Sequence, residues 1–334
     1  MTDVLIVSLG STGGLRLADE QLCESLRRAG AETRIASARP QRELRTLMAT
    51  DMAWALAARS AAREEMRRKP ARAVIYSSTT AALLWPQPGA IRFDALAGAN
   101  RPGRHGLWQR PLERRRLSSA PLLLPYSEGA LHEGSDGALA HERTIVLPVA
   151  VEVEDPPAPE RDIAAITYAA NPLKKGLDRV LEAWSRARRP DEDLLVTGVS
   201  SQTLGRVGLD VPGDGVRVSG MLGAAEYRAL LRRARVFVCA PRREDYGQAQ
   251  LEALAHGCQL VSTESAGAYA ALELARQIDR RLVGEDLARA LRIALDEPLV
   301  DYSTRALALL EPFSIKALDS IVERQLLPAL FARA

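Results

Sequence analysis

The sequence predicts an α/β chain of two doubly wound, parallel-sheet domains in tandem. Three observations carry this. Short apolar runs rich in β-branched residues alternate with amphipathic stretches. The alternation restarts after an acidic, proline-rich segment. At 334 residues, the chain also exceeds one core of ordinary size.

The elements follow in order. DVLIVSLG reads as a buried parallel strand, and LADEQLCESLRRAG as an amphipathic helix closed by Gly30. ETRIAS is the next strand, with further strands expected at AVIYSS (73–78), GAIRFD (89–94), PLLLPYS (121–127) and TIVLPVAVEV (144–153). Helices and central strands both reject proline, so EDPPAPERD, 154–162, is expected to be a linker. The second alternation runs AAITYAA (strand), GLDRVLEAWSRA (helix), DLLVTGV and VRVSGML (strands), AEYRALLRRA (helix), ARVFVCAP (strand), QAQLEALAHG (helix), QLVSTES (strand) and DLARALRIALDE (helix). FSIKALDSIVERQLLPALFA is expected to be a long helix interrupted at Pro328. The expected domains are therefore 1–153 and 163–310, both Rossmann-like, with 311–334 as a terminal helix. In open α/β sheets ligands lie at the carboxyl ends of the strands, so a site is expected there, facing a cleft between the domains.

Composition narrows the function. Aromatic residues are only 4%, so the cores must be built from Leu, Val, Ile and Ala. A net charge of +3 argues against a dedicated nucleic-acid binder. Cys23, Cys239 and Cys258 are odd in number and lack metal-ligand spacing, which points to buried thiols in a reducing compartment. The four histidines are scattered and suggest no metal site. MTDVLIVSLG shows no basic stretch before a long apolar region, so no secretory signal is expected, and no run approaches the ~20 apolar residues of a membrane span. A cytoplasmic location is expected, with room for attachment to the inner face of a membrane.

The stretch REDYGQAQLEALAHG, 243–257, carries the chemistry. Glu244 follows a strand and Glu252 lies inside the next helix. The N–H groups around Tyr246, Gly247, Gln248 and Ala249 have no intrahelical carbonyl partner and favour an anion. Gly247 would let a ligand approach the backbone. A carboxylate accepts two hydroxyl protons at once, which suits a ribose at Glu252. Spacing alone favours the plainer reading, a solvated helix glutamate beside a loop glutamate.

The same stretch resembles the donor-site motif of family 4 retaining glycosyltransferases of the GT-B fold, E-x-F-G-x-x-x-x-E-A-x-A-x-G. Glu244, Gly247, Glu252, Ala253, Ala255 and Gly257 match it, and Tyr246 replaces the usual Phe. The resemblance covers the second domain in order and the first more loosely. It implies a GT-B fold whose terminal helix, 311–334, crosses back onto the first domain. It also implies a nucleotide-sugar donor, with Glu244 orienting the sugar and Glu252 holding the ribose. In NPLKKGLDRVLEAW, Lys175 before Gly176 matches the lysine that grips the diphosphate. The companion arginine is absent, Ala170 standing in its place. Asn171, Lys174 or an arginine from elsewhere in the chain could compensate.

In the first domain GSTGG is similar to the family's glycine loop, where Gly13 and Gly14 would admit the donor phosphate or the acceptor. At the place where family members carry a histidine near the reacting sugar stands Asp94; either Asp94 takes that polar role, the favoured reading, or His105, the nearest histidine, folds back into the cleft. Asp94 and Glu244 are the expected catalytic residues. LPVAVEV resembles the family's interdomain turn, with Ala150 and Glu152 replacing Gly and Asp. RHGLWQRPLERRRL, basic with one Trp, is either a solvated face or a contact with lipid headgroups or an anionic acceptor. No D-x-D pair stands where a metal would bridge phosphates, so neither metal nor cofactor is expected. The resemblance thus implies a metal-independent, retaining hexosyltransferase of unidentified acceptor. The lost arginine and histidine keep open a non-catalytic nucleotide- or glycan-binding relative. An epimerase on the same fold is a third reading, without the grouped acids and histidines it would need.

Overall fold

The computed structural model describes residues 2–42, 44–101, 103–133, 143–153 and 160–332. The chain divides into two compact units, Met1–Ala150 with Phe313–Ala334, and Val151–Pro312. Of the expected linker 154–162, residues 154–159 lie outside the described residues.

The first unit holds strands β1 (Thr2–Ser8), β2 (Thr33–Ser37), β3 (Ala71–Tyr76), β4 (Ala90–Phe93) and β5 (Leu123–Pro125). They form one parallel sheet in the order β2-β1-β3-β4-β5, with Ile6 between Ile35 and Ile75. Helix Gly13–Arg28 starts where the Thr12 side chain accepts the Leu15 N–H at 3.2 Å, and it buries Ala18, Leu22 and Leu26 along one stripe. The terminal segment packs onto the same layer. Leu318, Val322, Leu326, Leu327 and Leu330 join Val4, Ile6, Leu22 and Leu26 in one core. Asp319 accepts from Ser25 Oγ at 2.6 Å and from both Nε and Nη2 of Arg28. The interruption expected at Pro328 lies just before it. A π-turn, Val322–Leu326, precedes it, and Leu327–Ala332 continues as α-helix. Proline removes one backbone donor, and a local change of register absorbs the loss.

Two other expectations change. TIVLPVAVEV forms no named strand; Thr144 bridges to Leu123, and the N–H groups of Ile145 and Leu147 donate to Leu123 and Pro125. β5 offers only three residues, so the pairing ends with it. Conversely, a 22-residue helix, Leu47–Arg68, stands where no element was expected. Its buried apolar residues are Ala55, Ala58 and Ala62, so its periodic signal is weak.

The second unit holds β6 (Ile163–Tyr168), β7 (Leu194–Thr197), β8 (Val216–Gly220), β9 (Ala234–Cys239) and β10 (Gln259–Ser262). All pair in parallel, in the order β10-β9-β6-β7-β8. Strand succession runs outward from β6 through β7 and β8, then restarts at β9 on its other side. The switch point therefore lies between β6 and β9, where Ile166 pairs with Phe237. The loops leaving these two strands must diverge there, and this is where a parallel sheet builds a site. The expected α/β class with two parallel sheets is what the chain adopts.

Candidate functional site

Both loops at the switch point carry charge. After β6, the Asn171 side chain accepts from Lys174 N at 3.1 Å and its carbonyl accepts from Lys175 N at 2.8 Å, a turn closed on itself. Asn171 thus shapes the lysine loop, and its side-chain oxygen is engaged there. Gly176 follows at φ 65°, and a Cβ added to it would stand 1.8 Å from the Ala240 carbonyl oxygen. Only glycine allows the lysine loop to press against the end of β9. Arg242 fastens the contact: its N–H donates to Lys174 O at 2.9 Å, and its guanidinium grips Asp178 at 2.7 and 2.9 Å.

After β9 comes the loop that bears Glu244, which is 6% exposed. Its N–H donates to Ala266 O at 2.9 Å. Lys175 Nζ donates to Glu244 Oε2 at 2.5 Å, and Gln250 Nε2 donates to the same oxygen at 3.2 Å. Alongside, Lys174 Nζ pairs with Asp245 Oδ2 at 3.0 Å, and Arg243 Nε with Asp245 Oδ1 at 2.7 Å. Two loops some seventy residues apart in sequence thus interleave three cations and two carboxylates.

Gly247, at φ 90°, caps helix Gln248–Ala255. The expected reason for this glycine was ligand approach. The fold supplies a different one, because a Cβ here would meet the Tyr269 ring at 2.8 Å. The first-turn N–H groups of Gln248 and Ala249 have no carbonyl partner within the helix. Tyr246 is buried. One turn further in, Glu252 Oε1 accepts from Gln248 Nε2 at 3.2 Å. Burial holds the Glu252 carboxyl above its ordinary range; Gln248 and the Arg228 charge oppose this, and Glu152 adds to it. Arg228 is ion-paired with Glu152, and the Tyr168 and Tyr227 rings lie 5.7 Å apart. The Glu252 charge helps burial raise both tyrosines.

The structure thus gathers Lys175, Glu244 and the Gln248–Glu252 helix in one unit, with Asn171 as the turn former. Asp94 and Gly14 belong to the other unit. Asp94 is half-buried after β4, and its charge contributes to raising Tyr126, for which burial is the main cause. Gly14 lies in the first turn of its helix, with nothing within 4 Å of where a Cβ would stand, so sterics do not demand glycine there. His105 is exposed in the turn Gly103–Gly106, and Ala170 is exposed. Sequence reasoning missed Asp245, Arg243 and Gln250. The adjacent acids of RREDYG hinted at the first two. Gln250 had no signal, because its role depends on which face of a short helix meets β9. Among the described residues no group of three or more His, Cys, Asp or Glu is placed to hold a metal ion. None of the described helices is long and apolar enough to cross a membrane.

Comparison with known proteins follows this geometry. Residues 162–297 match the model of a family described as glycosyl transferases group 1. No curated protein matches the chain. Among solved structures, WaaG, a glycosyltransferase involved in lipopolysaccharide biosynthesis, is 15% identical with a TM-score of 0.71, covering 95% of this chain and 99% of that one. Anabaena Alr3699/HepE, solved with UDP and glucose, is 12% identical with a TM-score of 0.72, covering 98% and 99%. Sucrose-phosphate synthase from Thermosynechococcus elongatus is 17% identical with a TM-score of 0.67, covering 100% of each. At these identities the likeness is one of fold. The resemblance drawn from residues 244–257 is borne out at the level of group 1 glycosyltransferases.

Proposed function

We propose, from a second unit that matches group 1 glycosyltransferases, that the chain transfers a sugar from a nucleotide-sugar donor to an acceptor hydroxyl, with retention at the anomeric carbon. The observation that carries this is the β6/β9 switch point, where Lys175 meets Glu244 at the mouth of the helix that bears Glu252. The donor diphosphate lies against Lys175 and the first-turn N–H groups, which stabilise the charge that grows on it as the glycosidic bond breaks. Lys174 and Arg243, both paired with Asp245, stand in for the arginine missing at Ala170. Glu252 takes the ribose hydroxyls and Glu244 orients the sugar. The acceptor oxygen bonds to the anomeric carbon on the face the diphosphate leaves, and its proton passes to a diphosphate oxygen. The protein supplies positioning and charge rather than a covalent intermediate. Asp94 acts on the acceptor side, and no metal is needed.

The test is a thermal-shift screen against UDP-, GDP- and ADP-sugars, since a ligand that prefers the native state raises its melting point. UDP-glucose comes first, because the Anabaena neighbour was solved with it. Product configuration by NMR, and rates with and without EDTA, test retention and metal independence. A shift with no donor overturns the reading. Inversion, or a rate lost with EDTA, removes the corresponding part.

The empty arginine position favours one second reading, a non-catalytic nucleotide- or glycan-binding protein. Calorimetric binding of a nucleoside diphosphate, with neither transfer nor donor hydrolysis, would support it. A cytoplasmic location with contact at a membrane's inner face belongs to the same proposal. Leu107, 61% exposed, precedes Trp108 and the arginine-rich helix Gln109–Ser119. Sedimentation with anionic but not zwitterionic vesicles is the expected result.

A further inference from the structure

Gln250 is 2% exposed and belongs to no role assigned above. Its Nε2 donates to Glu244 Oε2 at 3.2 Å and reaches Cys239 Sγ at 3.8 Å. Its own Oε1 is buried without a hydrogen-bond partner. A buried acceptor left unpaired is destabilising, and an apolar residue of similar volume would avoid it. Turning the amide over would set oxygen against the carboxylate oxygen, so Glu244 dictates the orientation. Beneath it, Cys239 Sγ lies 3.2 Å from Tyr269 OH and 3.4 Å from Ser262 Oγ, all buried. This layer gives the amide a fixed floor; Tyr269 is also the ring that requires Gly247.

Both donors to Glu244 use Oε2. Oε1 has no partner among the described residues and is left to accept from a ligand. The two donors differ in what a diphosphate does to them. Lys175 is a charge that phosphate oxygens attract, whereas the neutral amide of Gln250 stays where it is.

We propose that Gln250 is a positioning residue for Glu244, holding its carboxylate in the orienting geometry while Lys175 turns to the donor diphosphate. This rests on the reading of Glu244 as the group that orients the donor sugar. Gln250→Met and Gln250→Leu keep the volume and remove the donor. Each is expected to lower kcat about ten- to hundredfold, the rate equivalent of a lost hydrogen bond to a charged group. Donor KM is expected within about twofold, because ribose and diphosphate contacts are untouched. The melting point should stay within about 4 °C of wild type, since loss of the orphaned acceptor offsets the hydrogen bond lost at Glu244. An unchanged kcat, or a kcat that falls only in step with melting point, overturns the proposal. A second arm needs no turnover: crystal structures of wild type and both variants with UDP bound, where Lys175 is turned to the diphosphate. Glu244 should hold one rotamer in the wild type and another, or several, in the variants. An unmoved Glu244 overturns the proposal even if the wild type transfers no sugar, an outcome that would overturn only the activity proposed above.

Discussion

Replacing Gly176 with alanine is the sharpest probe of the lysine loop. The residue sits at φ 65°, a region that a Cβ disfavours by about 1–2 kcal/mol. The new Cβ would stand 1.8 Å from the Ala240 carbonyl oxygen. Carbon and oxygen approach to about 3.3 Å at closest, so one side must retreat by roughly 1.5 Å. That oxygen is main chain at the end of β9 and cannot swing aside. Strain and lost loop packing together are expected to remove about 3–5 kcal/mol from the second unit. For a domain of this size that is a fall in Tm of roughly 6–20 °C. Since Lys175 is the preceding residue, nucleoside diphosphate affinity should fall as well. Gly14→Ala is the control. It meets nothing within 4 Å at a helical φ, so it should be neutral or stabilising by up to about 1 kcal/mol. Scanning calorimetry with UDP titration measures both. A Gly176→Ala protein melting within about 2 °C of wild type, the shift of a change below ~1 kcal/mol, would refute the reasoning.

Three further outcomes are expected. Lys175→Met leaves the buried Glu244 carboxylate with only Gln250, and should cost about 1–3 kcal/mol; Lys174→Met, on a half-exposed pair, should cost under ~1 kcal/mol. Urea midpoints at unchanged m-value would check the order. Burial raises the Glu252 carboxyl above its ordinary 4.5, so the folded state binds a proton the unfolded state has already released. Wild-type stability therefore falls as pH rises through that raised value, and the Tm advantage of Glu252→Gln should grow from pH 4.5 toward pH 8; a constant difference would contradict it. Leu326→Ala opens a cavity among Leu22, Leu26 and Val322, and should take about 2–5 kcal/mol from the first unit alone. Hydrogen exchange should show the loss confined to the first unit, Met1–Ala150 with Phe313–Ala334.

Much of this protein is written locally. DVLIVS, ETRIAS, AAITYAA and ARVFVC announce buried strands because contiguous residues share one face requirement. The spacing of Glu244, Gly247 and Glu252 is legible because it lies within a single loop and helix. The stripe of Leu318, Val322 and Leu326 likewise announces a packed terminal helix, although not the π-turn before Pro328. Elsewhere the local signal fails for identifiable reasons. Helix Leu47–Arg68 hides because alanines bury it, and TIVLPVAV reads as a strand although β5 offers it only three residues to pair with. The contact of Lys175 with Glu244, the Tyr269 ring above Gly247 and the hold of Gln250 on Glu244 belong to tertiary structure. The first exists because β9 pairs with β6 rather than with β8, which precedes it in the chain. Strand order is a balance of many long-range contacts, each weak and none encoded in a neighbouring residue.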